Sequence, residues 1–178
     1  MPILRQISQL GQPVLRQTAG EVRDVSDPAI QALIDDMIET CREADGVGIA
    51  APQVYQPLRL FIVASRPNPR YPGAPGMEPL AMINPVILSA SEEKEKDWEG
   101  CLSIPGIRGL VPRHTSLTVS FTNREGEAEQ RTFSGFVARI IQHEHDHIDG
   151  SVFLDRAEPR DLITEREYQR ILRASHMP

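Results

Sequence analysis

The sequence has little of what stabilises secreted proteins or anchors membrane proteins. It contains two cysteines, Cys41 and Cys101, so at most one disulfide could form. No apolar run approaches the roughly 20 residues that cross a bilayer, and residues 1–20 lack the apolar segment of a secretory signal. These absences argue against a disulfide scaffold and a membrane protein, and they predict a cytoplasmic chain with free thiols.

The chain also lacks a strong excess of one charge. Its formal net charge is -6, and lysine and arginine are scattered among aspartate and glutamate. A protein that binds nucleic acid through its overall charge concentrates basic residues on one face. We therefore expect no direct, sequence-specific contact with nucleic acid.

Apolar periodicity in the first two thirds of the chain predicts one helix and several strands. Asp27 and Pro28 begin an amphipathic helix that runs to about Asp45. The Pro- and Gly-rich stretch 65–79 predicts an exposed loop, and the mixed charges of residues 91–97 indicate a solvated hairpin or sheet edge. Strand patterns cover residues 59–64, 80–88, 115–123 and 127–133.

The last third of the chain predicts a long helix and a short one. Ser134 is placed to cap the long helix, and Gly150 is placed to end it. The apolar residues of this helix are spread around most of its circumference, so the helix should be buried. A capping-box pattern at Thr164 precedes a short helix in the tail 158–178. We expect one domain over residues 1–178 of the α+β class, with antiparallel β-sheets packed around a central helix.

The long helix carries the sequence Gln-His-Glu-His-Asp-His at residues 142–147. His143 and His147 stand one turn apart on nearly the same face, so both imidazoles can reach one metal ion, with Glu144 beside them. His145 points to a different face and is interpreted as a non-ligand. The alternative is a buried helix whose histidines only make hydrogen bonds.

A third ligand has to come from elsewhere, because catalytic zinc or iron usually takes three protein ligands and leaves a position for water. Downstream candidates are poor, since His176 lies at the chain end and Asp155 and Glu158 lie in an exit loop. Cys101 follows a glycine in a turn-rich stretch and is the best choice. A thiolate with two imidazoles suits Zn²⁺ or Fe²⁺ and does not suit Mg²⁺ or Ca²⁺. Cys41, in a helical pattern, is expected to be a buried, inert thiol.

Small residues crowd the stretch 46–53, which indicates that backbone comes close to another segment, a ligand or a substrate. The alternative is a loop that only packs well. This stretch and two later ones resemble, in order, the three signature motifs of the peptide deformylase family, type 1. They are Gly46-x-Gly48-x-Ala50-Ala51-x-Gln53, Glu99-Gly100-Cys101-Leu102-Ser103 and Gln142-His143-Glu144-x-Asp146-His147.

The resemblance covers about residues 1–157. Phe136 and residues 138–141 resemble the organelle-type branch of the family, while Pro52 stands where threonine is often found. The family implies a metal-dependent hydrolase that removes the N-formyl group from formyl-methionine at the start of new polypeptides. The residues that would hold one divalent ion, natively Fe²⁺ with Zn²⁺ or Ni²⁺ as alternatives, are Cys101, His143 and His147. Glu144 would act as general base and then general acid, and the Gln53 amide and the Leu102 N–H would stabilise the oxyanion.

The resemblance also implies how an N-formyl-methionyl nascent polypeptide binds. The peptide would lie extended against the backbone of residues 46–48, and its methionine side chain would enter an apolar pocket with Arg139 near the rim. The residues implied in substrate binding are Gly46, Val47, Gly48, Arg108, Phe136 and Ile140. Whether the C-terminal helix contacts the ribosome is an open hypothesis.

Three further residues are candidates to support the ligands: Glu99, Arg113 and Asp146. Metal-bound histidines usually give their other N–H to a carboxylate or carbonyl. Two other functions compete with the deformylase hypothesis. One is a metallopeptidase that cuts internal peptide bonds, which shares His-Glu-x-x-His but is disfavoured by a cysteine ligand. The other is a closed structural metal site in a binding module, which would need a fourth protein ligand.

Overall fold

The computed structural model describes residues 1–175, so His176 lies outside the described residues. A short 3₁₀ helix over Pro13–Arg16 precedes helix α1, Pro28–Glu43. The Asp27 carboxylate accepts a hydrogen bond of 2.8 Å from the Ala29 N–H. Its side chain therefore caps α1, as the Asp-Pro pair predicts.

A five-stranded antiparallel sheet, the first sheet, forms the middle layer. Its strands, in spatial order, are β1 (Gly48–Ala50), β2 (Leu60–Val63), β3 (Leu80–Ala90), β6 (Ser116–Thr122) and β7 (Ala128–Ser134). Strand β1 lies at one edge and pairs only with β2, with Gly48 opposite Val63. Each of the four strand regions predicted from the sequence is confirmed, within two residues at each end.

The second sheet has three antiparallel strands. They are β4 (Lys94–Cys101), β5 (Ile104–His114) and β8 (Leu162–Thr164), in that order. The charged residues 94–97 are the exposed start of β4, in agreement with the predicted sheet edge. Strands β5 and β8 are not apparent in the sequence. Pro105 and Pro112 interrupt the β5 pattern, but both lie outside the Ile107–Gly109 segment that pairs with β8, where a missing N–H would matter.

Helix α2, Gly135–Ile148, packs against the first sheet on the face opposite α1. Strand β2 shows the division, because Phe61 and Val63 pack with α2 whereas Leu60 and Ile62 pack with α1, as strand alternation requires. Ser134 occupies the N-cap position, but its side chain accepts no capping hydrogen bond, so its predicted capping role is wrong.

Helix α3, Glu165–Ser175, closes the chain that the structure describes. The Glu167 N–H donates to Thr164 Oγ1 at 3.4 Å, which is the half of the predicted capping box that forms. The buried Tyr168 ring lies 5.7 Å from the Trp98 ring of β4, measured between centroids. None of the helices over residues 1–175 combines the length and apolarity that crossing a membrane requires.

Candidate metal centre

Three donor atoms converge where α2 meets the second sheet. Cys101 ends β4 at a break in the β4–β5 register, and His143 and His147 lie one turn apart on α2. The ligand atoms of these three residues all lie within 4.8 Å of one another. Cys101 Sγ is 3.3 Å from His147 Nε2. His145 faces elsewhere, with its Nδ1 3.2 Å from the Asp149 carboxylate.

The electrostatics of this cluster favour a thiolate. Burial opposes the charged form, but His147 and His143 outweigh burial and hold the pKa of Cys101 well below its usual value. The thiolate is the form of cysteine that ligates metals. One sulfur and two ring nitrogens, all in buried side chains, fit Zn²⁺ or Fe²⁺ with a coordination position left for water.

Glu144 lies beside the cluster in an apolar, crowded setting. It is 4% exposed, and its buried Oε2 atom has no hydrogen-bond partner among residues 1–175. Burial, opposed by His143 and His147 and reinforced by Cys101 and Glu99, raises the pKa of Glu144 to about 7. A carboxylate with a pKa near neutrality is suited to taking up and returning a proton.

The Gln53 side chain is fixed with its amide nitrogen toward the cluster. Its Oε1 accepts from the Ala50 N–H at 2.9 Å, while its Nε2 donates to Ser103 Oγ at 3.1 Å and to Cys101 Sγ at 3.4 Å. Leu102 follows Cys101 in the turn between β4 and β5 and also borders the cleft. The two predicted oxyanion donors therefore border the same cleft as Cys101, His143 and Glu144.

A buried ion network supports His143 from behind. His143 Nδ1 lies 2.9 Å from Glu99, and Arg113 forms paired bonds of 2.8 and 3.0 Å to the same carboxylate and one of 2.7 Å to Asp146. These contacts hold the pKa of Glu99 below its usual range, against the opposing effect of burial. Arg139, expected at the pocket rim, also binds Glu99 at 3.0 Å and the Val111 carbonyl at 2.8 Å.

An open cleft leads to the cluster. Five of the six residues implied in substrate binding line it: Gly46, Val47, Gly48, Phe136 and Ile140. Sequence reasoning missed Arg70, Tyr71 and Trp98, which line it as well. The sequence feature that could have identified Arg70 and Tyr71 is their position in a Pro- and Gly-rich loop, where large side chains are often functional.

Arg108 is the sixth residue; it does not line the cleft, and its role in substrate binding stays a prediction. Its side chain is 0% exposed and lies behind Gly100, where an added Cβ would come within 2.9 Å of Arg108 Nε. The guanidinium binds Glu165 at 2.6 Å and packs over the Tyr71 and Tyr168 rings. It is thus enclosed between Gly100 and α3.

A cleft that ends at a buried cysteine, two histidines and a carboxylate of raised pKa defines a metal-dependent hydrolase. The sequence matches the model of the polypeptide deformylase family over residues 4–162. The chain belongs to the polypeptide deformylase family, and the sequence-based assignment is confirmed.

Individual relatives agree with this family. "Peptide deformylase 2" of a Nostoc species is 59% identical over 172 residues, 96% of this chain and 96% of the relative. The class I type b peptide deformylase of Acinetobacter baumannii, in a crystal structure with bound Met-Ala-Ser, is 44% identical, with a TM-score of 0.85 over 88% of this chain and 99% of that one. A Synechococcus elongatus peptide deformylase in complex with actinonin is 35% identical, with a TM-score of 0.77 over 90% of this chain and 84% of that one. The resemblance to the organelle-type branch stays a prediction.

Proposed function

We propose that this chain hydrolyses the N-formyl group of formyl-methionine at the start of newly made polypeptides and releases formate. The convergence of Cys101, His143 and His147 beside Glu144 carries the proposal. A peptidase that cuts internal bonds is not favoured, because the family is that of deformylases and the third donor is a thiol.

The three clustered residues would hold one divalent ion. Their donor set suits Fe²⁺, which we infer to be the native metal, and also Zn²⁺ or Ni²⁺. When bound, the ion would supply Lewis-acid activation of a water molecule and of the formyl oxygen. Glu99 would hold the His143 ring in place through its contact with Nδ1.

The chain's own residues would manage the proton and the developing charge. Glu144 would accept the proton of the attacking water and deliver it to the departing amine, a role suited to its raised pKa. Gln53 Nε2 and the Leu102 N–H would donate to the oxyanion, and losing one such donor typically costs about 10²–10³ in rate. The Gln53–Ala50 hydrogen bond keeps the amide in the required orientation.

The peptide would bind as an added strand along β1, the edge strand of the first sheet. Gly46 and Gly48 line the cleft there without side-chain bulk. The methionine side chain would enter the part of the cleft lined by Val47, Phe136 and Ile140. We infer that residues 1–178 act as one catalytic unit.

The setting follows from the chemistry. Both cysteines are free, and a thiolate ligand requires reducing conditions, which favours action in the cytoplasm. Nascent chains that leave the ribosome are then the natural substrate pool, and contact between α3 and the ribosome is a hypothesis for co-sedimentation experiments.

The variant Glu144→Ala tests the proposed function. The protein should keep its metal content and lose formate release from formyl-Met-Ala by a factor of about 10²–10⁴, the range that general acid–base catalysis supplies. Metal analysis and a formate assay on anaerobically prepared protein would measure both. The matched control is Glu167→Ala, which removes an exposed carboxylate on α3 and should leave turnover unchanged. Near-normal turnover by Glu144→Ala would refute the proposed role.

A further inference from the structure

An N-terminal arm, residues 3–10, lies outside any helix or strand and is held to the rest of the molecule by hydrogen bonds. Its first half is fastened to α1. The Arg5 guanidinium binds the Asp36 carboxylate at 2.8 Å, and the Arg5 N–H donates to Thr40 Oγ1 at 2.9 Å. Its second half turns inward at Ser8, which is 0% exposed. Buried polar groups make hydrogen bonds, so the partners of Ser8 show what the arm holds.

Ser8 holds the segment that carries Gln53. The Ser8 N–H donates to the Gln53 carbonyl at 2.8 Å, and the Ser8 hydroxyl donates to the Pro52 carbonyl at 3.2 Å. Both carbonyls belong to a short 3₁₀ helix, Ala51–Val54. Ser8 therefore fixes the backbone from which the Gln53 amide reaches the cleft.

The next two residues of the arm hold the segment of the other proposed oxyanion donor. The Leu10 N–H donates to the Ser103 carbonyl at 2.8 Å, and Gln9 Nε2 donates to the Leu102 carbonyl at 3.4 Å. Leu102 and Ser103 form the turn between β4 and β5. Three successive residues of the arm thus connect the two segments that carry the proposed donors, the Gln53 amide and the Leu102 N–H.

We propose that the arm sets the distance between the two oxyanion donors, with Ser8 as a positioning residue that acts through Gln53. The inference rests on the proposed function. The Gln53 amide nitrogen has two N–H groups, and it donates to Ser103 Oγ and Cys101 Sγ in this structure. Donation to the oxyanion would take one N–H away from these atoms. The Ser8 bonds go to backbone carbonyls, so they would hold the segment in place while the Gln53 side chain changes partners.

Ser8→Pro tests the inference, because proline has neither an N–H nor a hydroxyl and so removes both bonds. We expect kcat for formyl-Met-Ala to fall by about 10²-fold, the cost of a donor displaced by about 1 Å, while KM changes by less than about twofold. The Kd of Met-Ala-Ser, a peptide that has no formyl oxygen, should stay unchanged. A general loss of structure would weaken the binding of that peptide as well.

Gln6→Pro is the matched control. Gln6 lies in the same arm and is exposed, and its N–H donates to no atom among residues 1–175. The proline ring therefore enters the arm without removing a hydrogen bond. In this variant kcat and KM should equal those of the unaltered protein.

A second variant, Ser8→Ala, removes the hydroxyl and keeps the N–H. The Pro52 carbonyl retains a hydrogen bond of 3.2 Å from the Tyr55 N–H, so no buried acceptor is left unpaired and the fold should be kept. The expected fall in kcat is roughly three- to tenfold, the scale of one hydrogen bond.

A double-mutant cycle shows whether Ser8 acts through Gln53. In a Gln53→Ala background, Ser8→Pro should lower kcat by less than about threefold, because the donor that it positions is already gone. The same factor in both backgrounds would overturn the inference, as would a normal kcat in folded Ser8→Pro protein or equal losses of kcat and of Met-Ala-Ser binding. If Ser8→Pro does not fold, Ser8→Ala decides in the same two backgrounds, and no effect or an equal effect overturns the inference.

Each of these outcomes leaves formate release by the unaltered protein in place, so the proposed function would stand. If the unaltered protein releases no formate from formyl-Met-Ala, the proposed function fails, and the inference falls with it.

Discussion

At the scale of single residues, Gly48 shows how backbone shape fixes a functional side chain. A Cβ at this position would lie 2.5 Å from Glu144 Oε1 and 2.8 Å from Ile140 Cγ2. Real Cβ atoms do not approach other atoms this closely, so any side chain here displaces its neighbours. Glu144 therefore requires a glycine at position 48. The two residues lie far apart in the sequence, so no motif spacing predicts this contact.

Gly48→Ala should lower kcat for formyl-Met-Ala by about 100-fold, because a displacement near 1 Å in a reacting group can cost that much. Metal content should be unchanged, since Gly48 does not contact the three clustered donors. Gly76→Ala, where the added methyl meets nothing within 4 Å, is the control for a general glycine effect. A Gly48→Ala protein with normal kcat would show that Glu144 tolerates displacement.

The two cysteines should differ sharply in reactivity. Burial, with Glu144 nearby, raises the pKa of Cys41 to about 12, so this residue remains a thiol at pH 8. Alkylation needs the thiolate. We expect iodoacetamide at pH 8 to leave Cys41 unmodified in the native protein and to modify it in urea, as measured by peptide mapping. Modification in the native state would contradict the predicted inert role.

The site residues that sequence could identify are those in short, spaced motifs. Cys101, His143 and His147 follow from ligand chemistry, and the structure brings them together. Arg108 and Arg139 show the limit, because arginine is seldom fully buried and their partners lie far away in sequence. Nothing local to either residue indicates that one binds Glu165 and the other Glu99.

At the scale of elements, the contacts that attach α3 over residues 165–175 include one ion pair and two ring contacts. Glu165 binds Arg108, and Tyr168 covers the Arg108 guanidinium and meets the edge of Trp98. Burial alone would raise the pKa of Glu165, but the hydrogen bonds from Arg108 and Gln169 together with the nearby positive charges outweigh burial, and the pKa is lowered. Stabilisation from this pair is therefore present above the unfolded carboxyl pKa, about 4.3, and is lost as the pH falls through the folded value.

Trp98 is the chain's one tryptophan and can report the docking of α3. Its fluorescence should shift to longer wavelength as the pH falls below about 4, and Glu165→Gln should show part of that shift already at pH 7. Glu167→Gln, on the same helix but paired only with the exposed Arg170, is the control and should match the unaltered protein. An unshifted Glu165→Gln spectrum would mean that the ion pair does not hold α3 in place.

Elements with regular apolar spacing were predictable, and those held by non-local pairing were not. The spacing in α1 and α2 and the alternation in β6 lead directly to the observed bounds. Strand β5 contains two prolines and is held mainly by its pairing with β4. Strand β8 is three residues long, which is too short to show a periodic pattern in the sequence. It forms by pairing with the edge of β5.

At the scale of the whole molecule, the metal centre joins two parts of the fold. Cys101 comes from the second sheet, whereas His143 and His147 come from the helix packed on the first. A ligand that binds only the folded state stabilises it, by about 4 kcal/mol at 1,000 times its dissociation constant. Removal of the metal by a chelator should therefore lower Tm by several degrees, and added Zn²⁺ or Ni²⁺ should restore it in a thermal melt. Cys101→Ser should lower Tm without being restored by either ion.

In the proposed binding mode, strand β1 sets how many residues of a substrate can pair with the protein. It is three residues long and has one unpaired side. Main-chain amides and carbonyls are identical in every polypeptide, so pairing with them ignores sequence, and so short an edge reaches only the first few residues. In this binding mode, the contact is short enough for polypeptides of many different sequences to be substrates. The short length of this buried edge also limits its pairing with strands of other proteins.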